Sequence, residues 1–207
     1  MSGESLAAGP DGRSRCSWGA SAPEYIPYHD REWGRPVTDD HGLFERFSLE
    51  AFQSGLSWLT ILRKRDAFRE AFARFEIERV AAFDEADVAR LLGDAGIVRN
   101  RAKIEATIAN ARAAADMRRA GESFAALVWS FRPDGDRPAP GSFAEAASVT
   151  PESKALAKEL KRRGFRFVGP TTAYASMQAC GIVNDHLAGC WVRDEVEAER
   201  REAIGPM

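Results

Sequence analysis

The chain is poor in the residues from which disulfide frameworks and metal sites are made, with three cysteines and three histidines in 207 residues. Cys16, Cys180 and Cys190 are too few, and odd in number, for a secreted disulfide scaffold, so a reducing interior with metal-binding or buried roles is expected. An excess of positive charge is also missing: 29 Lys and Arg face 31 Asp and Glu, a net charge of -2. Nothing global advertises a polyanion partner, and any nucleic-acid surface has to be a local basic patch. No run of 18 apolar residues occurs, and the opening "MSGESLAAGPDGRSRC" carries Glu4 and Asp11 without an apolar stretch of signal-peptide length. A soluble, cytoplasmic protein with no membrane contact is expected. Sustained alternation of apolar and polar residues, internal repeats and low-complexity tracts are absent too, which removes all-β and repeat architectures.

What remains is 44% hydrophobic residues, enough for a real core, and a pattern that reads as helix nearly throughout. "HGLFERFSLEAFQSG" spaces Leu43, Phe44, Phe47 and Ala51 along one helix face, with Gly55 placed to end it. Ser57 can cap the following helix, whose Leu59, Leu62, Phe68 and Phe72 point inward among basic residues. "DEADVARLL" and the long "RNRAKIEATIANARAAADMRRAG" are two more helices joined by "GDAGIV", and "ESFAALVWSF" adds a further segment. Beyond a Pro/Gly-rich loop, Thr150 and Pro151 open "PESKALAKELKRRG", which Gly164 stops, and "TTAYASMQACG" is a final helix. Residues 1–14 read as a disordered tail, and 193–207 as a charged tail or frayed helix. The fold class expected is therefore all-α.

Three constellations carry chemistry. Cys16 precedes His29 by thirteen positions, and His186 and Cys190 are spaced one helical turn apart in "DHLAGC". Each pair is half of a tetrahedral Cys2His2 site, and joining them would clip together distant parts of the chain. The alternative is that the histidines are surface or capping groups and the cysteines core fillers; Cys180 reads as helix core and His41 as surface. "GDAGIVRNRAKI" can be a helix-hairpin-helix grip on a phosphate through Gly96, Arg99, Arg101 and Lys103, or an ordinary helix connection with a basic start. Trp18, Tyr25, Tyr28 and Trp33 crowd one irregular stretch, and "SLEAFQSGLSW" adds Glu50 and Trp58. Such a set can cage a purine, with the carboxylate favouring a cationic base, or it can be ordinary packing with Glu50 facing solvent.

Taken in order, "CSWG", "YHDREWG", "LEAFQSGLSW", "LLGDAGIVRNRAKI", "KRRGFRFVGPTT" and "MQACGIVNDHLAGC" resemble the DNA-3-methyladenine glycosylase I family, the constitutive alkylation-repair glycosylases of the helix-hairpin-helix superfamily. The likeness runs from about Cys16 to Cys190. It implies a helix-hairpin-helix glycosylase domain over 15–192, with a zinc-clipped lobe (15–39 and 165–192) and a helical core (40–164) holding the hairpin at about 84–120. It implies one structural Zn2+ on Cys16, His29, His186 and Cys190. It assigns Glu50 as the recognising and catalytic carboxylate, Tyr25, Tyr28 and Trp58 as stacking faces, and Trp18 and Trp33 as lining or support. Gly55 and Leu56 match the loop that approaches DNA at the lesion. Double-stranded alkylated DNA is the implied partner and free 3-methyladenine the product, released by a monofunctional, monomeric hydrolase that flips the base. Asp116 is the only acid near the position where much of the superfamily has a catalytic aspartate, and its helical surroundings give no sign of a poised loop. Two rivals stand beside this reading: a non-catalytic zinc-clipped helical DNA-binding module, and a zinc hydrolase with an open coordination position. The extension before Arg15 and the charged tail depart from the pattern without touching the pocket.

Overall fold

A computed structural model describes residues 5–135 and 137–204. These residues are mostly helical, as expected, and fall into two compact units. One combines Met1–Val37, Arg132–Ser148 and Met177–Met207; the other combines Thr38–Phe131 and Val149–Ser176. The boundaries differ from those expected: 165–176 goes with the helical core, and the Pro/Gly-rich stretch from Arg132 goes with the lobe.

The second unit holds α2 (Asp40–Gln53), α3 (Trp58–Ala71), α4 (Ile77–Ala81), α5 (Glu85–Gly93), α6 (Arg101–Arg119), α7 (Phe124–Trp129) and α8 (Pro151–Arg162). Side-chain caps fix most of the starts. Asp39 accepts from the Gly42 amide, Ser57 from Thr60, Asn100 from Lys103 and Ser123 from Ala126, while Asp84 and Thr150 close reciprocal capping boxes; each satisfies donors that a helix N-terminus leaves open. Gly55 and Gly164 follow helix ends with positive φ, as their positions required.

Leu43, Phe44, Phe47 and Ala51 are all buried on α2. On α3 the inward stripe is Ile61, Phe68 and Phe72, with Leu59 and Leu62 half-buried. The offsets of seven and eleven residues track the helix better than the expected Leu59 and Leu62. Phe52, Phe68, Phe72 and Phe75 form one aromatic stack, and the Phe72–Phe75 rings lie nearly parallel with centroids 5.6 Å apart. Phe75 reaches that stack from a turn in which Ala73, Arg74 and Phe75 all have left-handed φ of 51°, 56° and 58°. That conformation costs about 1–2 kcal/mol per residue, offset by burial of the ring. His41, expected at the surface, donates from Nε2 to the Arg74 carbonyl at 2.7 Å and steadies the turn.

The first unit holds β1 (Leu6–Ala8), β2 (Ser14–Cys16), a 3-10 turn over Ser17–Ala20, α1 (Tyr25–Arg31) and α10 (Arg193–Ile204); α9 (Pro170–Ala179) runs from the second unit into it. Two expectations are corrected here, with residues 1–4 and 205–207 lying outside the described residues. Residues 6–16 are not a tail but an antiparallel ribbon pairing Leu6 with Cys16 and Ala8 with Ser14. The segment from Arg193 is a packed helix: Val196 is fully buried, and Arg200 donates to the carbonyls of Gly181 and Ile182. In both cases a few apolar or buried-ion anchors outweigh a polar composition.

Gly181, just past α9, has φ of +73°, and a Cβ there would stand 2.6–2.7 Å from the backbone of Gly34, Arg35 and Pro36. The Val37 amide donates to the neighbouring Cys180 carbonyl, so this crossing sets where the "DHLAGC" turn begins. Gly181→Ala is expected to destabilise the protein by at least about 2 kcal/mol through positive φ and backbone overlap; thermal denaturation checks it, and an unchanged melting temperature would refute the argument.

Candidate functional site

The first unit gathers Cys16 from the end of β2, His29 from α1, and His186 and Cys190 from the turn after α9. The "DHLAGC" segment is not a helix, although its spacing allowed one. Its shape comes from the Asn184 side-chain oxygen Oδ1 accepting from the His186 amide and from Cys190 N–H donating to Leu187 O. All four ligating atoms lie within 4.8 Å of one another and all four residues are buried. Cys16 Sγ is 3.8 Å from His186 Nδ1, while Cys190 Sγ is 3.4 Å from His29 Nε2 and 3.5 Å from His186 Nδ1. Tetrahedral zinc with its usual bonds to sulfur and nitrogen would place such donors about 3.5 Å apart, so the four residues fit the ion.

The outer face of each imidazole is occupied. His29 Nδ1 lies 2.8 Å from Asp30 Oδ1, and His186 Nε2 lies 3.0 Å from the Trp33 carbonyl. Both partners are acceptors, so the outer nitrogens carry the protons and the inner ones turn lone pairs toward the cluster. The hydrogen bond between the two thiols lowers Cys190 and raises Cys16, with burial opposing ionisation of both.

The aromatic residues of this unit pack around the same cluster. Trp18 is the hub, edge-on to Tyr25 at 5.5 Å, Trp33 at 5.1 Å and His29 at 5.2 Å, with Tyr28 tilted at 6.2 Å. Trp33 in turn meets His186 at 4.6 Å. Edge-to-face contacts of this kind lock ring orientation, so the rings and the candidate ligands form one body. Sequence reading missed Asp30 and Arg15, the residues behind His29. Their adjacency to His29 and Cys16 in "HD" and "RC" was the available signal.

In the second unit Glu50 sits on α2 and is 7% exposed. Burial raises its carboxyl to about 8, opposed by the Arg46 charge one turn earlier. The surface-residue alternative is thereby removed. Four residues on, the chain turns through Ser54–Ser57; Gly55 has φ of +79°, Leu56 is 43% exposed, and half-buried Trp58 opens α3.

The hairpin residues divide. Arg99 is exposed and has no ion pair among the described residues, whereas Arg101 pairs with Glu85 at 2.8 Å and Glu105 at 3.2 Å. Lys103 is buried, and its ammonium donates to the carbonyls of Phe52 and Ser54 at 2.9 and 2.5 Å. This corrects the expected phosphate contact: Lys103 holds the Gly55–Leu56 turn against α6 instead. The Gly96 amide donates to Asp94 Oδ1 at 2.7 Å, and Lys64 binds the Ala95 and Gly96 carbonyls, so the turn is braced internally. Asp116 lies exposed on α6, paired with Arg119.

The model of the methyladenine glycosylase family matches residues 18–194. This chain belongs to that family. It is 50% identical over 179 residues to DNA-3-methyladenine glycosylase 1 of Escherichia coli K12, covering 85% of this chain and 95% of that protein. It is 44% identical over 180 residues to the DNA-3-methyladenine glycosylase of Haemophilus influenzae, covering 86% and 96%. A crystal structure of 3-methyladenine DNA glycosylase I shares 52% identity with a TM-score of 0.83, covering 86% of this chain and 98% of that one. A tyrosine-to-phenylalanine variant of 3-methyladenine DNA glycosylase I in complex with 3-methyladenine superposes with a TM-score of 0.82 at 35% identity, covering 86% and 97%. The chain is thus a glycosylase, and the zinc-hydrolase and silent-module readings lose their ground.

The raised Glu50 makes a signed stability prediction. Below the usual carboxylate range both folded and unfolded chains hold the proton; between pH 4.5 and about 8 only the folded chain does, so stability falls as pH rises through this window. Glu50→Gln is expected to melt like the parent near pH 4.5 and to be more stable above pH 8, by on the order of a few kcal/mol. Equal melting temperatures across that range would contradict the burial argument.

Proposed function

We propose that the protein excises 3-methyladenine from alkylated double-stranded DNA, flipping the damaged nucleotide and hydrolysing its N-glycosidic bond without cutting the strand. The observation that carries this reading is Glu50, a carboxyl buried on α2 just ahead of a turn that exposes Leu56. Methylation at N3 makes the adenine cationic, so the base is already a good leaving group and the enzyme's task is selection. A cation beside Glu50 favours its ionised form, and the resulting low-dielectric pair discriminates against neutral adenine, which offers no compensating charge. Tyr25, Tyr28 and Trp58 are the stacking faces in this reading, Trp18 and Trp33 their support, and Gly55 and Leu56 the DNA-intruding turn. Arg99, with Arg101 and the Gly96 turn, grips the phosphate backbone.

Monofunctional hydrolysis is supported by the state of the amine at the start of α6. Strand cleavage by Schiff base needs a free amine, and Lys103 is already bound to two carbonyls. Asp116, exposed and paired with Arg119, has no part in the reaction.

Cys16, His29, His186 and Cys190 hold one structural Zn2+ in this reading; bound there, the ion supplies a cross-link between the ribbon, α1 and the turn after α9. Four protein donors complete a tetrahedral ion, which leaves it a structural rather than a hydrolytic role. No helix of the described residues is long and apolar enough to cross a membrane; a monomer acting in the cytoplasm fits the cysteine usage.

Incubation with methylated duplex DNA, followed by mass spectrometry of the small-molecule fraction, is expected to show free 3-methyladenine and intact strands. DNA binding without release of the base would favour the non-catalytic module. Glu50→Gln is expected to cut the release rate by at least about tenfold, and an undiminished rate would remove Glu50 from recognition. Stripping zinc with a chelator is expected to lower the melting temperature sharply, by the equivalent of several kcal/mol; a metal-free protein melting like the loaded one would refute the structural role.

A further inference from the structure

The ribbon β1–β2 lies ahead of the residues that the family model matches, which begin at 18, and its side chains converge on the back of the Cys2His2 cluster. Arg15 is the centre of this arrangement. Its side chain is 2% exposed, and its guanidinium forks onto Asp11 at 2.7 and 2.8 Å and onto Asp30 at 2.9 and 2.7 Å. Asp30 Oδ1 also faces His29 Nδ1 at 2.8 Å. The chain of charged hydrogen bonds therefore runs Asp11, Arg15, Asp30, His29, and its last member is a candidate metal ligand.

Charge decides what Asp11 does in that chain. One buried cation is shared between two carboxylates, so Asp30 keeps negative charge for the His29 ring and makes its inner nitrogen a better donor. Without Asp11 the buried Arg15 would draw on Asp30 alone, at the expense of His29. The rest of the ribbon covers the turn that bears the other ligands. Leu6 packs on the apolar cluster of Cys16, Leu187, Cys190, Val192 and Val196, and its Cδ1 stands 2.6 Å from where a Cβ on Gly189 would be. The Trp191 amide donates to the Ser14 carbonyl, and Arg13 stacks over the Trp191 ring at 4.1 Å.

We propose that the ribbon is a metal-retaining strap, in which Asp11 is a positioning residue that strengthens His29 through Arg15 and Asp30 while Leu6 shields the Cys190 turn from water. This rests on the zinc reading of the cluster. The test is native-state transfer of zinc from the full-length protein to an excess of chromophoric chelator at neutral pH. Asp11→Asn keeps the shape of an exposed side chain and is expected to release zinc about tenfold faster; deletion of residues 1–11, which removes Leu6 as well, is expected to be faster still. The visible absorption of the cobalt-substituted protein supplies a second readout, with a shifted band expected in Asp11→Asn because His29 is the weakened ligand. A parental release rate and an unchanged cobalt band in Asp11→Asn overturn the proposal whatever the deletion does. A purified parent protein that binds neither zinc nor cobalt overturns the metal reading itself, which the chelator signal reports separately.

Discussion

The first unit depends on one cluster of four side chains. Cys16 and His186 are 170 residues apart in sequence yet 3.8 Å apart at their ligating atoms, and around them the unit keeps little regular structure beyond a short ribbon, α1, the end of α9 and α10. Such a unit has limited apolar area with which to offset the entropy of closing so long a loop. In the zinc reading proposed above, four buried donors with their imidazole protons held outward supply a fixed point that hydrophobic burial alone would not. The aromatic hub around Trp18 inherits its geometry from that point, since His29 and His186 are among the rings it packs with.

The second unit is organised differently, by caps and by a phenylalanine stack, and can hold a group that such an interior resists. Glu50 is that group. A carboxyl raised to about 8 by burial is a standing cost to the fold, and the function proposed above gives it a reason: a site that selects a cationic base works by offering what neutral adenine cannot satisfy. Lys103 shows the same economy of charge, since its ammonium is consumed in holding the Phe52–Ser54 carbonyls and thus the turn that presents Leu56. A basic residue next to a hairpin reads naturally as a phosphate contact. Which way its side chain runs depends on the helix end opposite, and that end is fifty residues upstream.

Much of the molecule was legible beforehand because local rules carried it. Ser57, Asn100 and Thr150 act as caps where expected, Gly55 and Gly164 stop their helices, and the α2 stripe is buried as spaced. The cluster of Cys16, His29, His186 and Cys190 was legible as two pairs of scarce residue types. The ribbon over 6–16 was not, because its composition is that of a loop and its order comes from Arg15 meeting Asp30 and from Leu6 meeting the Gly189 turn. The charged segment from Arg193 hid a helix for the same reason: Val196 and Arg200 act only through what they touch.

The positions of α2, α3, α5, α6 and α8 with their caps, the scarcity of metal-ligating residues and the family itself were determined by sequence alone, since each rests on neighbours along the chain or on an ordered series of motifs. Only the tertiary structure decided that His186 and Cys190 lie on a turn, that Lys103 faces inward, that Glu50 is buried, and that an acidic residue in an apparent tail stands behind a candidate ligand. Those are facts about desolvation and about partners distant in sequence, and neither is written in the spacing of residues.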